Sequence, residues 1–122
     1  MQVNEEIRKE LVKNFRRWLG VLFNRMYFYI EQIEKAKTVE DVMRYKKELL
    51  YAYVRDMPLT ADLCYFCLLY EDKELQKCDD CEYGKIHGIC FDSDSDYQKV
   101  LKKRSELLNE IDFSYFNDDK YK

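Results

Sequence analysis

From Val3 to Lys37 the apolar residues recur at steps of three and four, through Ile7, Leu11, Phe15, Trp18, Leu22, Tyr29 and Ile33. At about 100° per residue these positions share one stripe about 80° wide, with Val3 and Met26 at its edges, and predict an amphipathic helix. At 1.5 Å per residue it would run roughly 50 Å, more than the width of a small domain. It therefore either kinks near Gly20 or projects and is covered by something else. Thr38-Val39-Glu40-Asp41 has the form of a helix start, with Asp in place of the usual Glu or Gln three residues on. The second predicted helix sets Val39, Val42, Met43, Leu50, Tyr53, Val54 and Met57 on one face and stops at Pro58, because the residue before a proline is pushed out of the helical region. So short a connection makes the two helices an antiparallel hairpin over residues 3–57. Ser95 with Gln98 opens a third helix over 95–112, which turns Tyr97, Val100, Leu101, Leu107, Leu108 and Ile111 inward. The predicted fold is mostly α: a three-helix bundle in one domain, 1–122, with an inserted cysteine-rich segment at 60–91.

Composition sharpens this picture. The 122 residues are 47% hydrophobic and 37% charged, which suits one folded, helix-rich domain with a modest core that would gain from a staple. A net charge of −3 gives no global attraction to phosphate, so nucleic-acid contact would need a local patch. The longest apolar run, Trp18 to Ile30, contains Asn24 and Arg25 and falls short of the roughly 20 apolar residues of a membrane span. The opening MQVNEEIRKE has no apolar centre or small-residue cleavage site, so an intracellular, cytoplasmic protein is expected. Eleven tyrosines with abundant Lys and Glu hint at a thermophilic source, where cytosolic disulfides persist.

All five cysteines and the only histidine lie between Cys64 and Cys90. Cys64 and Cys67 form one Cys-x2-Cys pair, Cys78 and Cys81 another. Two residues between thiolates let one tight turn aim both sulfurs at a point, and two such turns build a tetrahedral cage for Zn²⁺. Cys90 and His87 are the alternates for a ligand place or for a supporting contact. An iron–sulfur cluster uses the same ligands, but the bacterial ferredoxin run with its terminal Cys-Pro is missing. Disulfides would leave one thiol over from five, and a thioredoxin-like redox site would want a βαβ unit that the pattern does not contain.

The layout CYFC…CDDCEYGKIHGIC resembles a small cysteine module of uncharacterised phage and archaeal proteins, in which two Cys-x2-Cys pairs are followed by Gly-x2-Cys. The resemblance covers residues 64–90, and Glu82 stands where that pattern often has proline. It implies a metal-bound knuckle in a small prokaryotic or viral protein, placed in the host cytoplasm if viral, and implies no activity.

On the back of the first helix Lys9, Lys13, Arg16 and Arg17 form a basic strip. Glu5 and Glu10 are spaced to pair with Lys9 and Lys13, whereas Arg16 and Arg17 have no acidic residue three or four positions away. Arg25 and Arg104 fall inside apolar stripes, as long stems at the core rim whose heads reach water or a carboxylate. Asp92 to Tyr97 begins like a calcium loop, yet Tyr97 replaces the required Gly and Lys103 the closing Glu. One histidine, no Gly-rich phosphate loop and no nucleophile elbow supply few catalytic parts. The expectation is a non-enzymatic zinc-binding interaction or regulatory protein, of a virus or mobile element, that docks a protein partner. A nucleic-acid binder using Lys9, Lys13, Arg16 and Arg17 is the alternative. The apolar girth of Met26 to Ile30 is either enclosed within the monomer or shared in a homodimer.

Overall fold

The computed structural model describes residues 2–70 and 93–117. Helix α1 spans Glu5–Lys35, α2 Val39–Arg55, the short α3 Tyr65–Leu69 and α4 Asp96–Phe113, with a 3-10 turn at Ala61–Leu63. The chain is therefore mostly helical, as its periodicity dictates, and each long helix lies within two residues of its predicted span. Helix α1 continues through Gly20.

The helix starts are set by local chemistry. Asn4 Oδ1 accepts from the N–H groups of Glu6 and Ile7 at 3.0 and 3.2 Å, capping α1. Thr38, in extended conformation, accepts on Oγ1 from Asp41 N at 3.1 Å. Replacing Thr38 with Ala is expected to lower stability by about 1 kcal/mol through this lost cap, read as a shifted urea midpoint with unchanged slope. Ser95, at 1% exposure, caps α4 by accepting from Gln98 N at 3.2 Å. At the far end of α4, Phe116 has φ 53°, a left-handed residue after the last turn.

The described residues fall into two units, within Met1–Trp18 with Pro58–Lys103 and within Leu19–Met57 with Arg104–Lys122. In the first, Leu63, Leu68, Asn14 and Ser95 are buried, and Ile7, Leu11, Phe15 and Trp18 of α1 are half-buried. In the second, Leu22, Ala52, Val54 and Ile111 are buried. Arg25 of α1 pairs with Asp56, just after α2, in this unit.

Two predicted inner faces need correcting. On α2, Val39 and Tyr53 are 62% and 56% exposed, while Leu49 is half-buried and Ala52 is buried, because the side chain that packs is chosen by the neighbouring helices and Ala allows the closest approach. On α4, Val100 and Leu107 are exposed. The inward line runs Tyr97, Leu101, Arg104, Leu108, Ile111, so Arg104 takes a place on the covered face and its Nη1 donates to the Arg55 carbonyl at the end of α2, 3.4 Å away. After α4 the Tyr115 and Phe116 rings are 4.2 Å apart, with Lys46 Nζ over both.

Candidate metal centre and basic helix face

The stem leading into the first cysteine pair is held from two helices. Buried Asn14 of α1 donates from Nδ2 to the Asp62 carbonyl at 2.8 Å. The backbone N–H of Asn4 donates to the Tyr65 hydroxyl at 2.8 Å, and the Tyr97 hydroxyl on α4 donates to the Leu59 carbonyl. Within the stem, Leu63 N donates to Thr60 O and Cys64 N to Ala61 O at 3.0 and 3.1 Å, closing the 3-10 turn. Leu63 beneath it is buried, so the turn is anchored by an apolar side chain as well. Asn14→Ala is expected to cost about 1 kcal/mol, the net worth of one such bond with its carbonyl left to water, seen as a lower melting temperature.

Cys64 is the extended N-cap of α3, with φ −114° and ψ 121°, and its side chain makes no cap hydrogen bond. Cys67 is the third residue of that helix. N-cap and third position are the two whose side chains approach each other in a capping box, so a Cys-x2-Cys placed here brings both sulfurs to the same end of the helix. Both cysteines are half-buried thiols. Cys78, Cys81, Cys90 and His87, the other predicted ligands, lie outside the described residues. Among the described residues no three His, Cys, Asp or Glu side chains are grouped to hold a metal ion.

The basic strip is exposed along α1 at Lys9, Lys13, Arg16 and Arg17. Its predicted pairing is revised. Glu5 goes to Arg8, and Lys9 pairs with Glu6 at 3.6 Å, since the three-residue step brings those groups together. Lys13 has no ion pair among the described residues, despite Glu10, and neither have Arg16 and Arg17. Arg25 does find the carboxylate expected of a rim arginine, Asp56, which also accepts from Arg55 Nε at 3.3 Å.

Periodicity did not single out a cleft of about 340 Å³ in the second unit, lined along α2 by Arg44, Lys47, Tyr51 and Arg55 and closed by Tyr29 and Asp112. Its signal lay in the i, i+3, i+7, i+11 spacing of those α2 residues. Arg55 lies over the Tyr51 ring at 5.9 Å, and Lys47 donates to the Asp112 carbonyl and to Asn117 Oδ1 at 3.0 and 2.9 Å. A hydrogen bond with Tyr45 raises the Arg44 guanidinium above its ordinary value.

No helix among the described residues is long and apolar enough to cross a membrane. A family model described as a GA-like domain matches residues 26–50, the end of α1, the connection and most of α2. No curated protein and no solved structure matches the chain.

Proposed function

We propose that this chain is a non-enzymatic zinc-binding interaction protein. In this reading Cys64, Cys67, Cys78 and Cys81 hold Zn²⁺, with Cys90 and His87 as alternates, and the ion fastens the 60–91 insert to the helical frame that docks a protein partner. One observation carries it: Cys64 and Cys67 occupy the N-cap and third position of a short helix whose stem is tied down by Asn14, Asn4 and Tyr97. Thiols offered from a fixed turn lose little freedom on binding a metal, which favours a tight structural site. Four thiolates would close the ion off, leaving no open position for a hydrolytic water.

Native mass spectrometry of the protein purified without added reductant tests this. One zinc per chain is expected. The added mass of an iron–sulfur cluster would replace the cofactor, and a metal-free chain lighter by its disulfide hydrogens would overturn the reading.

A nucleic-acid reading is favoured by the exposed Lys13, Arg16 and Arg17 with no ion pair among the described residues. Binding of this kind must weaken as salt rises, with a slope near −0.9 per phosphate contacted on duplex DNA. An affinity flat in salt would remove it.

A further inference from the structure

Helix α1 carries a second apolar line distinct from the one its own chain covers. Leu19, Phe23, Tyr27 and Ile30 are 41%, 52%, 63% and 50% exposed. At about 100° per residue they share an arc about 80° wide, turned roughly 100° from the line through Leu22 and Tyr29. Exposed Val12 and Leu19, with Met26 and Ile33 half-buried where this line meets the covered stripe, alternate with Arg16, Phe23 and Ile30 at steps of four and three, the heptad spacing of a helix that packs along another helix.

We propose that the occupant of this line is the α1 helix of a second copy of this chain, laid antiparallel. The proposal rests on the interaction-protein reading, in taking α1 as the docking element, and names the partner. The central apolar layers match themselves when the helix is turned end for end: Leu19 meets Ile30 of the second copy and Phe23 meets Met26, twice each about a twofold axis beside Asn24. Shape agrees. Gly20 has open space where a side chain would stand, with nothing within 4 Å of an added Cβ, and in this register it faces Tyr27, the most exposed of the four.

Charge agrees as well. On the same flank Lys13 lies toward one end of the line and Glu34 toward the other, and neither has an ion pair among the described residues. Antiparallel pairing sets Lys13 against Glu34 of the second copy, at both ends of the seam. A parallel pair would set like charges side by side.

Sedimentation velocity and native mass spectrometry of the full zinc-loaded chain test this. A dimer is expected at about 100 μM, with Phe23→Glu monomeric and at least about tenfold weaker association for Lys13→Glu. The double variant Lys13→Glu with Glu34→Lys should restore the dimer, because the reversed charges meet again only in the antiparallel register. Gly20→Leu should raise the melting temperature of the monomer while weakening the dimer, which separates loss of the notch from loss of the fold. A wild-type monomer at that concentration overturns the proposal, whether or not it binds duplex DNA. So does a dimer indifferent to Phe23→Glu, or a double variant weaker than either single one. A monomer carrying zinc removes only this inference, and a metal-free dimer removes only the metal reading.

Discussion

Stripping the metal from the reduced protein with a strong chelator is expected to abolish cooperative melting of the cysteine-rich unit and to lower its helix content. Among the described residues the apolar side chains buried in that unit are Leu63 and Leu68. From Glu71 to Cys90 the sequence offers few apolar residues to offset the chain entropy of a segment that long. Structural zinc is worth on the order of 10–16 kcal/mol in zinc-finger peptides at neutral pH, against a whole-domain stability of about 5–15 kcal/mol. Under the proposed zinc reading, loss of the ion therefore removes a contribution as large as the stability of a whole domain. Cys64→Ser and Cys67→Ser should each reproduce the chelated state, and acid should do so progressively, because protons compete with the ion for thiolates. Far-UV circular dichroism melts in reductant, with and without chelator, read the result. Superimposable melts would end the metal reading.

Ile111→Ala is expected to cost about 2–5 kcal/mol, a drop of roughly 10 °C or more in melting temperature for a chain of this size. Ile111 is 2% exposed at the end of the covered line of α4, so truncation leaves a cavity with little room to collapse. Leu107 is on the same helix and is equally apolar, but it is exposed, and Leu107→Ala should stay within about 0.5 kcal/mol of wild type. Urea titrations of both variants make the comparison. Equal losses would mean that the covered face of α4 is the one read from apolar spacing and includes Leu107.

The contrast between Ile111 and Leu107 marks how far apolar spacing reaches. It located α1, α2 and α4, because an amphipathic stripe of 3.6-residue period has few other ways to bury itself. The caps at Thr38 and Ser95 were legible for the same local reason: the hydroxyl and the N–H it satisfies are three residues apart. Spacing did place Arg104 inside the apolar stripe of α4, but it could not say that Tyr53 and Leu107 would face out while Ala52 was buried. Those choices depend on which neighbour arrives, and a small side chain attracts a close neighbour without advertising it. The pairing of Glu5 with Arg8 was likewise missed, since three- and four-residue steps compete and side-chain reach decides between them.

For the candidate site, the ligand types and the paired spacing of Cys64 and Cys67 were written in the chain, as was the basic strip on α1. The stem was not. Asn14 to Asp62, Asn4 to Tyr65 and Tyr97 to Leu59 join residues 48, 61 and 38 positions apart, and no local rule pairs them. By itself the sequence determined a helical chain with defined starts, one cluster of soft ligands and a first helix with an apolar stripe and a basic strip, because each follows from contacts within a few residues. Only the tertiary structure decided which apolar residues are covered and which turn presents the first two thiols, because burial and long-range hydrogen bonds exist only once distant segments meet.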